Sequence, residues 1–579
     1  MKSKYFKNFL RYLYPFKTSF FLIIFLCILS AVLSLLSPLI IGNVIDSAIG
    51  YENVNFKLVF SHLIYLLGIS LVGSVLQWGV SFYSGKLSIK VTNNIRNSFF
   101  SKINNIPIKY MDTHSHGDII SRAVNDIDTI SEGLIQCIDK LFSGSSIIFF
   151  TVLFMFNISF KVTLLVLVLA PLAIFISTRI SRASYSQFRK YSSVQGDLTG
   201  YTEEFISNQK AVKLFSYEGR SIENFEKINS KLFKFGVKSQ FISSLTNPST
   251  RFITNFIYIL VGVFGAYICV KDGSISIGQI SSLLIYVNQF NRPFVEIAAV
   301  VTQLQAALAS INRIFEVLDK QSESENSDAM TKLPSKVVGN VDIENLYFSY
   351  NENSKMIINN MNLNIKPGQK IAIIGPTGCG KTTVINLLMR FYDVNSGDIK
   401  IDNISIKGVP RKDLRDIFGM VLQDTWLCNA SIKDNISYGN PKASDQEIIS
   451  AAKLAKCDHF IRRLKNGYDT LVSEDTISMS EGQKQLLCIA RVILKNPSIL
   501  ILDEATSNID TRTEINIQKA IDNMAEGKTC FIIAHRLSTI KNADMIVVMD
   551  KGCIVEKGNH KELLKKNGFY AKLYYSQYS

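Results

Sequence analysis

A chain of 579 residues is too long for one ordinary domain, so two or more are expected. Only 19% of the residues are charged, 47% are hydrophobic and the mean hydropathy is +0.17, values that set the chain apart from ordinary soluble proteins and point to membrane spans. The formal net charge of +15 fits either nucleic acid or an anionic membrane surface as partner, and the apolar runs favour the membrane.

In chain order, "SKYFKNFLRYLYPFK" is basic and amphipathic, with no small-residue cleavage site, and reads as an interfacial helix on the cytoplasmic leaflet rather than a signal peptide. Six apolar runs follow, near 20–45, 58–83, 141–156, 162–177, 252–270 and 277–301. Each is long enough, or nearly so, for the ~20 helical residues that cross ~30 Å of hydrocarbon. The third run starts just after Asp139 and Lys140. Lys2, Lys4, Lys7, Arg11 and Lys17 hold the N-terminal segment inside, and alternation then puts both termini and the two long, basic connections in the cytoplasm. Those connections have helical spacing and almost no proline, so the spans are expected to continue as helices well beyond the membrane. The domain plan is therefore a transmembrane domain over 1–318, a polar linker over 319–340 and an α/β domain over 341–579.

The nine cysteines are scattered, with no C-x-x-C pair and no metal-ligand spacing, as expected for a soluble part in a reduced compartment.

Two motifs carry the chemistry. "IAIIGPTGCGKTT" is a strand followed by a phosphate-binding loop: Gly375, Gly378 and Gly380 let backbone N–H groups approach phosphates, Lys381 supplies a cation and Thr382 a hydroxyl for Mg²⁺. Pro376, Thr377, Cys379 and Thr383 complete the loop, and the Cys379 thiol is expected to be exposed when nucleotide is absent. "SILILDEATSNID" is an apolar strand ending in two acids; Asp503 would hold Mg²⁺ through water and Glu504 would act as general base on an attacking water.

The order of "GPTGCGKTT", "VLQDTW", "SMSEGQKQ", "ILILDEATSNID" and "IIAHRLSTI" resembles the nucleotide-binding cassette of the ATP-binding cassette superfamily. The preceding region, with "IPIKYMDTHSHGDIISR" and "EEFISNQKAVKLFSYEG" between its spans, resembles the exporter-type half-transporters. The resemblance covers essentially the whole chain and implies ATP-driven, alternating-access export of drugs, lipids or peptides by a membrane-bound ATPase using ATP and Mg²⁺. It further implies that Tyr350 stacks on adenine and that Gln423 senses Mg²⁺ and contacts the membrane domain. Ser480, Gly482 and Gln483 would form the signature that touches the γ-phosphate held by a partner cassette; Asp510 would link the two sites and His535 would be the switch histidine. Segments near 108–116 and 206–216 correspond to the coupling helices. One P-loop and one signature per chain then require a second half-transporter. Import on the same fold and a soluble cassette ATPase acting on nucleic acid are the competing readings; the six runs argue against the latter.

The usual signature is Leu-Ser-Gly-Gly-Gln, so Met479 and Glu481 depart from it. A first-turn carboxylate gains ~0.3–1 kcal/mol from the helix dipole. A like charge about 5 Å from a triphosphate costs on the order of 3 kcal/mol at an effective dielectric of about 20. If Glu481 faces the phosphates, repulsion wins; turned outward, it is harmless. Heterodimeric exporters pair an imperfect signature in one chain with a defective carboxylate in the other, so Glu481 beside an intact Glu504 and His535 predicts a heterodimer, with a homodimer as the alternative. The few charges in the spans favour an apolar or amphipathic cargo. Arg292 and Glu296, four apart in the last run, invite a substrate-binding reading, against the simpler one of a structural pair near the inner interface.

Overall fold

The computed structural model describes residues 2–49, 54–323, 331–334, 336–351, 355–422, 425–472, 479–503, 510–533 and 540–578. The chain divides into two compact units, Met1–Asn104 with His116–Lys320, and Asn105–Ser115 with Gln321–Ser579.

Every described element of the first unit is a helix. An N-terminal helix, Lys2–Leu13, precedes the first-span helix Lys17–Ala48 and the second-span helix Phe56–Asn104. At 1.5 Å per residue, the 49 residues of the latter extend about 70 Å, more than twice the ~30 Å of hydrocarbon, so this helix continues far beyond a membrane. The fourth-span helix, Phe160–Ser207, does the same. Among the described residues four helical stretches are long and apolar enough to cross a membrane: Tyr5–Ala48, Phe56–Asn104, His116–Ile158 and Arg251–Asp272. The fourth run opens the helix Phe160–Ser207, with Phe160–Leu169 as its described apolar part, and the sixth lies in Ile277–Leu318. Asp139 and Lys140, which left the start of the third run open in the sequence, do not interrupt its helix. Helix runs through both charges, by way of a π-helical turn at Cys137–Phe142.

Small residues let the first and last spans meet. A Cβ on Gly278 would lie 2.0 Å from the carbonyl oxygen of Gly42, so glycine is the residue that permits this backbone approach. Asp46 fixes the same end by accepting from the Gly278 N–H at 2.7 Å. Tyr286, fully buried, donates to the Leu35 carbonyl within a core of Met155, Val166, Ile257 and Leu283.

The second unit holds ten described strands. They are β1 (Val341–Phe348), β2 (Ile358–Ile365), β3 (Lys370–Ile374), β4 (Ser396–Ile401), β5 (Ile404–Ser405), β6 (Phe418–Val421), β7 (Ile499–Asp503), β8 (Thr529–Ile533), β9 (Met545–Asp550) and β10 (Cys553–Gly558). They form an antiparallel sheet in the order β2-β1-β4-β5 and a larger sheet in the order β10-β9-β3-β8-β7-β6. In the larger sheet β9, β3, β8, β7 and β6 run parallel. Parallel strands bury both faces, and successive side chains alternate between them. Accordingly Ala372, Leu500, Leu502 and Ile532 enter one core, while Ile371, Ile499, Ile501 and Phe531 enter the other.

Candidate functional site

The parallel strands end at one edge: Ile373 of β3 is level with Ile533 of β8, which is level with Asp503 of β7. Ligands of open α/β sheets bind outside such carboxyl ends. From β3 the chain turns through Gly375–Gly380 into the helix Lys381–Leu388. Gly375, at φ +153°, has the Met549 carbonyl oxygen 2.2 Å from where a Cβ would sit, so a side chain there would close the loop against β9. Gly378 and Gly380 have φ of +81° and +104°, which leaves the loop's N–H groups free of Cβ shielding at the start of a helix, where an anion is favoured. Lys381 folds back over the loop, donating to the carbonyls of Gly375 at 2.8 Å and Pro376 at 3.0 Å. Its ammonium thus stands over the cradle, with Pro376 and Thr377 on the loop and Thr382 and Thr383 in the helix's first turn. A triphosphate fits this donor set.

Cys379 corrects an expectation. Its thiol is buried, 4% exposed, and burial raises its pKa. A buried, protonated thiol is a poor nucleophile, so the reactivity expected of Cys379 is not favoured by this packing.

Ser480 caps the helix Glu481–Lys495, accepting from the Gln483 N–H at 3.3 Å, while the Gln483 side chain accepts from the Ser480 N–H at 3.1 Å. Gly482 is buried in the first turn. Met479 is 7% exposed and packs into the core with Leu486 and Leu487, so this departure from leucine conserves the packing. Glu481 is exposed and paired: it accepts from Lys484 Nζ at 2.8 Å and Thr425 Oγ1 at 3.1 Å, with 61% of its side chain exposed. The Lys484 ammonium, and then the Thr425 hydroxyl, hold its pKa below the ordinary carboxylate value.

One further anchor was missed in the sequence. Arg491 of the signature helix stacks on Trp426 and Tyr438, with ring centres 5.6 and 5.4 Å away, and donates to the Trp426 carbonyl at 2.7 Å. The available signal was the stripe Glu481, Lys484, Cys488, Arg491, whose spacing of three and four marks one helix face. That face carries the segment just beyond Gln423.

Tyr350 is half-buried, its ring edge-on to Tyr392 at 4.9 Å and its hydroxyl 3.3 Å from Thr383 Oγ1. Tyr392 in turn donates to the carboxylate of Asp112, on the short helix Ile108–Thr113. Burial first, and then this carboxylate, raise the Tyr392 phenol above its ordinary pKa. Of the two segments expected to be coupling helices, the one near 108–116 holds the helix Ile108–Thr113 in the second unit and the one near 206–216 holds Gln209–Leu214 in the first. Asp510 caps the helix Thr511–Ala525, and the Thr513 N–H at 2.9 Å lowers its pKa. Gln423, Glu504 and His535 lie outside the described residues.

A phosphate cradle on a parallel sheet, following a helical unit with membrane-length apolar stretches, defines an ATPase coupled to a membrane domain. Family models agree: the ABC transporter transmembrane region matches residues 20–294 and the ABC transporter domain matches residues 358–507. A fatty acid ABC transporter ATP-binding/permease protein of Mycobacterium tuberculosis (strain CDC 1551 / Oshkosh) is 39% identical over 90% of this chain and 82% of its own. An uncharacterized ABC transporter ATP-binding protein of Bacillus subtilis (strain 168) is 37% identical over 98% of this chain and 93% of its own. A putative multidrug export ATP-binding/permease protein of Staphylococcus aureus (strain COL) is 33% identical over 98% of this chain and 99% of its own. The chain belongs to the ABC transporter family: it is a membrane protein that binds ATP and couples its hydrolysis to transport.

Proposed function

We propose that the chain is one half of a dimeric exporter in the cytoplasmic membrane, with both termini and the cassette inside, that moves amphipathic or hydrophobic molecules outward. The observation that carries the dimer is the presence of one phosphate cradle and one signature helix in the chain, because each ATP is to be held between the cradle of one cassette and the signature of the other. Export is supported by the relative named for putative multidrug export, and an amphipathic cargo by the relative named for a fatty acid. Thr382, Gln423 and Asp503 are the proposed holders of Mg²⁺, which supplies charge neutralisation on the phosphates. Glu504 orients and deprotonates the attacking water, His535 positions that carboxylate and the γ-phosphate, and Tyr350 stacks on the base.

The altered signature argues for a heterodimer whose partner carries an intact signature and lacks the counterpart of Glu504. The pairing of Glu481 with Lys484 favours a second reading, a homodimer with two competent sites, because the charge is already partnered within its own helix. Purification of this chain alone, followed by ATP turnover and ATP-dependent uptake of a labelled amphipath into inside-out proteoliposomes, decides among these readings. Brisk coupled turnover by the lone chain supports the homodimer. Turnover that needs a second chain supports the heterodimer, and accumulation only from the opposite face overturns export.

A further inference from the structure

Four spans surround a cavity of about 640 Å³ within the membrane unit. Its wall is polar for a membrane interior, with Ser34, Ser74, Gln77 and Gln289 alongside Asp139, Lys140, Arg292 and Glu296. Ionisable side chains are costly at membrane depth and are kept there where they serve transport.

Asp139 and Lys140 stand on the π-helical turn Cys137–Phe142. Such turns weaken the helix locally, re-aim side chains and recur at functional sites. Here the two neighbours address different walls. Asp139 accepts from Ser84 of the second-span helix at 3.1 Å, whereas Lys140 pairs with Glu296 of the last helix at 3.0 Å. Glu296 also binds Arg292 Nε at 2.8 Å. One carboxylate therefore serves two cations, leaving one positive charge in excess on that wall. Arg292 is 81% exposed, and Nε is its bonded nitrogen among the described residues. On the other wall Asp139 has a hydroxyl as its hydrogen-bond partner among the described residues, which leaves a negative charge. On the last helix the Gln289 amide oxygen is buried without a donor among the described residues, and Pro293 deprives the Gln289 carbonyl of its helical N–H partner. Leu33, Ile69 and Ile147 complete the lining with apolar surface.

We propose that this cavity is a head-group site for a zwitterionic amphipath. Arg292 and Lys140 hold its anionic group, Asp139 holds its cationic group, and the apolar chain starts along the aliphatic part of the wall. A purely anionic head is opposed by Asp139 and a purely cationic one by the excess positive charge opposite. The inference rests on the export of amphipaths proposed above and adds the chemistry of the head.

The test uses the full-length transporter in a non-ionic detergent and three dodecyl compounds: dodecanoate, dodecyltrimethylammonium and N-dodecyl-N,N-dimethylglycine. Equilibrium binding of each radiolabelled compound, and the concentration giving half-maximal stimulation of ATP turnover, are read. The zwitterion is expected to act at a concentration about tenfold lower than either single-charge compound. Asp139→Asn should erase its advantage over dodecanoate, and Arg292→Gln its advantage over the ammonium compound. Equal binding of all three to the unaltered protein would overturn the head-group site while leaving amphipath export standing. Binding of none would overturn the amphipath reading and the head-group site with it. Dissociation of the dimer in Arg292→Gln, followed by size-exclusion chromatography, would reassign the charges to a subunit interface and overturn the proposal.

Discussion

The phosphate cradle and the membrane cavity both hold charge, yet they are built in opposite ways. The cradle uses six consecutive residues, Gly375–Gly380, at the end of one strand, and its donors are main-chain N–H groups exposed by glycine. The cavity uses side chains from four helices, and its contacts between helices join residues 55 apart for Ser84 and Asp139 and 156 apart for Lys140 and Glu296. A backbone site has little freedom to vary, because changing a glycine changes the fold of the loop. A side-chain site can be retuned one residue at a time, which suits a family whose members share a motor and differ in cargo.

The largest effects should fall on the motor. Lys381→Ala removes the cation over the cradle and should abolish ATP binding, measured with a fluorescent nucleotide on the purified transporter. Glu504→Gln should keep binding and lower turnover by at least about a hundredfold, the scale of a lost general base; near-normal turnover would remove Glu504 from that role. Next comes the anchor between the signature helix and Trp426. Arg491→Ala loses charged hydrogen bonds to the Trp426 and Asn435 carbonyls and two ring contacts, an expected cost of about 2 kcal/mol. A Tm in the full transporter unchanged by Arg491→Ala would make the anchor incidental. The cavity variants should act on cargo preference and leave nucleotide affinity alone, so an Arg292→Gln transporter with altered ATP affinity would erase the contrast between the two regions.

The smallest effect should come from Glu481. Its ion pair with Lys484 is largely exposed, and such pairs contribute about 0–1 kcal/mol. Glu481→Gln is expected to change turnover by less than about fivefold, a difference of under ~1 kcal/mol. Because the folded carboxylate titrates below its ordinary value, the small stability contribution is complete above the unfolded pKa. It is lost as pH falls through the lower folded one. Melting curves of the native protein and Glu481→Gln should therefore converge on acidification. A turnover gain of a hundredfold in Glu481→Gly would instead return the carboxylate to the phosphates.

The two regions also differ in how far the sequence disclosed them. The P-loop, β7 and the signature are each an unbroken stretch of sequence, so their residue patterns carried both the fold and the chemistry. The Thr425 contact of Glu481 was not legible, since that hydroxyl lies 56 residues away and is brought by the fold, whereas Lys484 stands three along the same helix. Arg292 and Glu296 were readable as a pair because four residues make one helical turn. Lys140, which completes their triad, was read as marking the edge of a span because charge at an apolar boundary looks like an end. The π-helical turn that keeps the helix running and separates Asp139 from Lys140 has no sequence signature in this chain. Burial of Cys379 depended likewise on packing of the loop against neighbouring strands.

The boundary between the units has a practical consequence for recombination. Asn105–Ser115 is encoded amid the spans but belongs to the compact unit of the cassette, where Asp112 receives the Tyr392 hydroxyl and the Asn105 carbonyl receives the Glu323 N–H at 2.8 Å. A chimera spliced once, near residue 320, would graft a foreign cassette onto a segment shaped for the old one. Exchange of a functional module requires two segments of the gene to be replaced, one of them a short stretch of eleven codons for residues 105–115. In this chain the inheritable unit of the motor is discontinuous.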